Sequence, residues 1–81
     1  MKDRMIKLIA SRLLEEKLGF KPSSNDIVLL EANWEDGKEL HYVEFKRFGF
    51  NRIAYRATWM PATRDWVLNI VDTASKDELF I

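Results

Sequence analysis

Eighty-one residues, 47% of them hydrophobic and 32% charged, suffice for one small globular domain and are too few for two. The 13 basic residues balance the 13 acidic ones, which disfavours a dedicated duplex-DNA binder because its affinity rests on summed positive charge. The absence of cysteine excludes disulfides, and no stretch resembles a signal peptide or a membrane span. We therefore expect a single cytoplasmic domain over residues 1–81, with no membrane association.

The chain begins with a predicted amphipathic helix from about Asp3 to Leu18. Asp3 can cap its N-terminus, and Gly19 stands where a left-handed residue often ends a helix. Apolar residues recur at helical spacing and are expected to face the core: Ile6, Ile9, Ala10, Leu13 and Leu14. The predicted polar side of the helix comprises Arg4, Lys7, Ser11 and Glu15. Residues 21–26 have loop composition and separate this helix from the rest of the chain.

A β-hairpin is predicted next, because residues 27–34 and 39–46 alternate with a period of two around Asp36-Gly37. A two-residue type I′ turn pairs residues whose numbers sum to 73. This register places one set of residues on the sheet face that the helix covers, here called the helix face: Val28, Leu30, Ala32, His41, Val43 and Phe45. Leu29, Leu40 and Tyr42 then lie on the opposite, open face.

A second hairpin is predicted from residues 52–60 and 66–71, which alternate on either side of a loop. Its register sets Trp59 opposite Trp66, and the turn between the hairpins brings Phe45 beside Ile53. Ser75 and Glu78 have capping-box spacing, which predicts a short C-terminal helix or turn. The expected fold class is α+β, with an N-terminal helix packed on one face of a four-stranded antiparallel meander sheet in the order αββββ.

Enzymatic chemistry has little support in this sequence. His41 is the one histidine, so a nucleophilic triad or a zinc site lacks the residues it needs. The three glycines are far apart, which excludes a phosphate-binding glycine loop. We expect no enzyme activity, no catalytic residue, no metal site and no cofactor.

Residues 45–64 contain five basic side chains and no acidic one, interleaved with aromatic residues. Basic groups beside aromatic rings can hold a phosphate backbone and stack on bases. Residues 46–50, Lys-Arg-Phe-Gly-Phe, resemble in part the aromatic strand motif of cold-shock domains and RNA-recognition motifs. The resemblance covers five residues, and the order of elements differs from both families. Single-stranded nucleic-acid binding is therefore the alternative function, not the first.

The favoured prediction is a small non-enzymatic interaction module, of adaptor or inhibitor type. The register exposes six apolar side chains on the open face, and soluble monomers seldom leave such a patch bare. The module would bind a protein partner, or itself as a homodimer, through the open face and the turn at residues 48–50. Tyr and Arg are frequent interface anchors. The candidate interface residues are Leu29, Leu40, Tyr42, Phe48, Phe50, Arg52 and Arg56.

Overall fold

The computed structural model describes residues 3–46 and 52–79. Its elements in chain order are helix α1 (Asp3–Leu18), a 3-10 turn (Ser24–Asp26), and strands β1 (Ile27–Glu35), β2 (Lys38–Phe45), β3 (Ile53–Met60) and β4 (Asp65–Val71). The four strands form one antiparallel sheet in the order β1-β2-β3-β4. The predicted αββββ meander is confirmed. No helix within the described residues is long and apolar enough to span a membrane.

Helix α1 ends as the sequence predicts. Gly19 has a φ of 80°, and its N–H donates to the carbonyl of Glu15 at 3.0 Å. This left-handed residue satisfies one of the carbonyls that a helix leaves unpaired at its C-terminus. Gly19 therefore directs the chain back toward the sheet.

Ser11 corrects the predicted polar side of α1. It is buried at 2% exposure, and its hydroxyl donates to the carbonyl of Pro22 at 2.6 Å. Pro22 is also buried. The prediction failed because helical spacing identifies the apolar residues that face the core. It does not indicate that a serine is buried with its hydroxyl bonded to the following loop. That bond fastens the loop against the helix.

The register of the first hairpin is correct near its turn and wrong farther away. Asp36 and Gly37 have φ values of 52° and 74°, as a type I′ turn requires, and β1–β2 partners from residue 31 onward sum to 73. An irregularity between Leu29 and Glu31 then shifts the register by one residue, so that Ile27 pairs with Phe45. This is a β-bulge, in which one strand contributes an extra residue.

The bulge reverses the predicted faces of the first half of β1. Ile27 is buried in the main core at 1% exposure and Leu29 packs against it, while Val28 and Leu30 are 46% and 38% exposed. Because side chains alternate along a strand, one extra residue moves every earlier side chain to the other face. Leu29 therefore lies on the helix face, not on the open face.

The second hairpin and its join to the first are confirmed. Trp59 pairs with Trp66 between β3 and β4, and Phe45 pairs with Ile53 between β2 and β3. The main core forms where α1 lies on the helix face of this sheet. Its buried residues are Ile6, Ala10, Leu13, Leu14, Ile27, Val43, Phe45, Tyr55, Ala57 and Leu68.

The described part of the C-terminal segment, residues 72–79, is a turn and not a helix. The side chain of Asp72 accepts hydrogen bonds from the backbone N–H groups of Ala74 and Ser75, at 2.9 and 2.8 Å. These bonds hold the pKa of Asp72 below its ordinary value. The chain then turns back, and Glu78 forms an antiparallel bridge with Val71 at the outer edge of β4. Of the predicted helix or turn, the turn is therefore the form observed, and the Ser75 hydroxyl accepts from the N–H of Asp77.

Candidate binding surface

The predicted open face is partly covered by the protein itself. Leu40 and Tyr42 are only 5% and 7% exposed, and they form a second buried cluster with Ala54 and Val71. The sequence placed Leu40 and Tyr42 on the correct face, but it did not predict what covers that face. Neither side chain presents the open apolar surface that an interface on this face would need.

Residues 72–79 make two charged contacts with residues of this face. Lys76 Nζ lies 3.7 Å from the Glu31 carboxylate on β1, although the segment leaves the sheet at β4, the opposite edge strand. Glu78 likewise lies 3.7 Å from Arg56 on β3. The segment therefore extends over the open face toward β1 and holds two charged contacts there.

The two arginines of the predicted interface are already paired with carboxylates. Arg52 is exposed, and its Nε lies 3.3 Å from the buried carboxylate of Glu44. Arg56 is half-buried beside Glu78. Both guanidinium groups thus have a local acidic neighbour, which makes them weaker sites for a phosphate. The predicted Phe48 and Phe50 lie outside the described residues.

The most distinctive exposed surface lies on the helix face, at the end of the sheet that carries the β1–β2 and β3–β4 turns. Trp34 pairs with Glu39, and Trp59 pairs with Trp66. Leu40 pairs with Thr58, so continuing that register by one residue sets Glu39 beside Trp59. All three tryptophans of the chain therefore stand with Glu39 in one line across the four strands. We call Trp34, Glu39, Trp59 and Trp66 the tryptophan row.

The exposure of the tryptophan row differs along its length. Trp34 on β1 is 74% exposed, whereas Trp59 and Trp66 are half-buried against each other with ring centroids 5.3 Å apart. Their rings are tilted by 58°, a favoured arrangement for aromatic pairs. The β3–β4 end of the row is thus a packed pair of aromatic rings, and the exposed indole of Trp34 lies on the other side of β2 from this pair.

Glu39 lies between Trp34 and Trp59, and its side chain contacts a buried histidine of the same strand. Its Oε1 atom is 3.1 Å from Nε2 of the buried His41, without the alignment of a hydrogen bond, and its side chain is 19% exposed. The His41 ring in turn packs on Trp66, with centroids 5.8 Å apart. His41 is thus a buried residue that contacts both Glu39 and Trp66.

The charge around the tryptophan row is negative. The two turns at this end of the sheet and the row itself carry four acidic side chains, Glu35, Asp36, Glu39 and Asp65. They carry two basic ones, Lys38 and Arg64, so the local balance is two minus four, or −2. This end of the molecule attracts cations and repels phosphates.

The sequence contained the signal for this row. The type I′ turn predicts the pairing of Trp34 with Glu39, and the second hairpin predicts that of Trp59 with Trp66. The sequence did not indicate where along the strands α1 lies, and so did not predict that this end of the sheet is exposed among the described residues. Within residues 3–46 and 52–79, no three His, Asp or Glu side chains are placed to hold a metal ion.

Comparison of the chain with protein-family models, with curated proteins and with solved structures gave no match. The interpretation of the tryptophan row therefore depends on its geometry and charge.

Proposed function

We propose that this chain is a small non-enzymatic module that binds a protein partner through the tryptophan row. The observation that supports this proposal is the alignment of Trp34, Trp59 and Trp66 in one line, with Trp34 74% exposed. An exposed tryptophan is unfavourable in a monomer because its large apolar surface remains in contact with water. Tryptophan is also among the residues most enriched at binding hot spots. Nothing in the core requires Trp34 at this position.

The state of the two sheet faces favours this surface over the one that the sequence predicted. Leu40 and Tyr42 on the open face are buried, and the C-terminal segment makes charged contacts with Arg56 and Glu31 on that face. The tryptophan row has no such cover among the described residues. The proposal thus keeps the predicted class of function and moves its contact surface to the helix face. The lack of cysteine supports a reducing, cytoplasmic setting for the module.

A peptide-display selection tests the proposal. Random twelve-residue peptides would be selected on the immobilised chain, and each binder would be measured against Trp34→Ala and Leu8→Ala. Leu8 is a matched control because it is also a large apolar residue, 50% exposed, on the outer side of α1. Neither substitution should change the free energy of unfolding by more than about 0.5 kcal/mol, because both sites are exposed.

The expected result is that Trp34→Ala weakens the selected binders and Leu8→Ala does not. Loss of a hot-spot tryptophan costs about 2 kcal/mol or more, which corresponds to about a 30-fold rise in Kd. Sedimentation of the free chain would separately report whether the partner is a second copy. Equal binding to the wild type and to Trp34→Ala would refute the tryptophan row as the contact surface.

A further inference from the structure

We infer that the tryptophan row recognises an arginine side chain of a partner protein, inserted between Trp34 and Trp59 above Glu39. This inference rests on the proposed function, since it names the group that the same surface would bind. It starts from the position of a carboxylate between two aromatic side chains, which is not what hydrophobic docking alone requires.

The spacing across the row suits one flat group. Trp34 and Trp59 stand on strands separated by β2, so their backbones are two strand spacings, or about 10 Å, apart. A planar group in contact with a ring on each side needs about 7 Å between the rings. Trp34 is exposed and has room to lean over such a group, while Trp59 packs against Trp66.

Glu39 determines the charge of the group. Its side chain is 19% exposed, so a bound cation would meet a carboxylate that is reachable but largely shielded from water. Shielding strengthens the attraction between opposite charges. The contact with His41 uses only the Oε1 atom of Glu39. A cation above the sheet can therefore approach the other carboxylate oxygen.

Arginine matches both requirements better than other side chains. Its guanidinium is flat, stacks on aromatic faces and presents several N–H donors to a carboxylate. Lysine has a positive charge but no flat group that can stack on a ring. Proline and the nucleobases have a surface that can stack on a ring but no positive charge. The local charge of −2 further favours a basic partner segment and opposes the phosphates of a nucleic acid.

The test uses a ten-residue Gly-Ser peptide that carries one central arginine. Titrating it into the isotope-labelled chain, with NMR detection of the three indole N–H signals, reports which tryptophans contact the ligand. Parallel titrations use the same peptide with lysine, with the neutral arginine analogue citrulline, and an oligonucleotide of eight thymidines. The expected result is that arginine shifts the Trp34 and Trp59 signals, with an affinity at least tenfold above that of citrulline.

Two charge variants separate the local carboxylate from the overall charge. Glu39→Gln should weaken arginine binding at least fivefold. Glu35→Gln makes the same charge change at an exposed position beside the turn and should weaken it less than twofold. Equal effects of the two variants would overturn the inference, because Glu39 would then act only through the overall electrostatic field and would not bind the arginine directly. Trp34→Ala should abolish the preference for arginine over citrulline.

The outcomes also distinguish this inference from the proposed function. If display-selected peptides require Trp34 but lack arginine and bind Glu39→Gln unchanged, the module binds proteins and the arginine site is refuted. If no selected peptide requires Trp34, both proposals fail. Binding of the oligonucleotide in preference to the arginine peptide would likewise overturn both.

Discussion

Replacing Ser11 by alanine should destabilise the fold, although alanine is the better helix former. The Ser11 hydroxyl is buried and donates to the Pro22 carbonyl at 2.6 Å, between the middle of α1 and the loop that leads to β1. Alanine removes the donor and leaves the Pro22 carbonyl without that partner. The substitution therefore sets local helix propensity against a tertiary hydrogen bond.

The relative size of these two effects decides whether the substitution stabilises or destabilises the fold. An unsatisfied buried acceptor costs about 1–3 kcal/mol, and the gain in helix propensity from serine to alanine is about 0.5 kcal/mol. The expected net loss in the free energy of unfolding is thus about 0.5–2.5 kcal/mol. For a domain of this size, a loss of about 1.5 kcal/mol lowers Tm by about 6–12 °C.

Thermal and urea unfolding followed by circular dichroism would measure this loss. The control is Arg12→Ala on the exposed side of the same helix, which should stay within about 0.5 kcal/mol of the wild type. Amide exchange in residues 20–26 should also quicken in Ser11→Ala, because the loop loses its attachment to α1. A Ser11→Ala variant as stable as the wild type would refute the argument that this bond holds the loop.

Two pH-dependent predictions follow from buried or hydrogen-bonded acids. Burial raises the pKa of Tyr55 above its ordinary value of 10.0, so the folded state keeps a proton that the unfolded state loses. The stability of the wild type relative to Tyr55→Phe should be constant below pH 10 and should fall above it, by up to about 1.4 kcal/mol per pH unit until the raised pKa is passed. Parallel stability curves for the two proteins would contradict this. The hydrogen bonds from Ala74 and Ser75 lower the pKa of Asp72, so their contribution is present above the ordinary aspartate pKa and is lost as the pH falls through the lowered one. The amide NMR shifts of Ala74 and Ser75 should titrate with a midpoint below 3.8, and a midpoint at or above 3.8 would contradict the assignment.

Local signals were sufficient to predict most of the fold. Turn chemistry fixed the first hairpin because Asp36 and Gly37 adopt the positive φ angles that Asp-Gly favours. The bounds of α1 followed from Asp3, Gly19 and a helical stripe of apolar residues. In each case the determining groups are neighbours in the chain, so the sequence displays them directly.

Other features depend on contacts between distant residues and were not predicted. The face of Ile27 depends on the bulge between Leu29 and Glu31, and Tyr42 is buried in a cluster with Leu40, Ala54 and Val71, which lie on three different strands. A strict two-residue period counted from the turn misplaces the first, and no local pattern predicts the second. The tryptophan row falls between these cases, because its pairings were predictable but its exposure depends on how far α1 extends along the sheet.

The bulge in β1 has a consequence for how this strand tolerates changes in length. Without one of the two adjacent leucines, Leu29 or Leu30, the strand would have the sequence Ile-Val-Leu-Glu-Ala-Asn-Trp-Glu, a regular alternation of inward and outward side chains. The strand thus has the form of an eight-residue strand with one inserted leucine, which the sheet accommodates at its edge without losing the pairing on either side. A chain shorter by this leucine would keep Ile27 in the core and Trp34 in its present line.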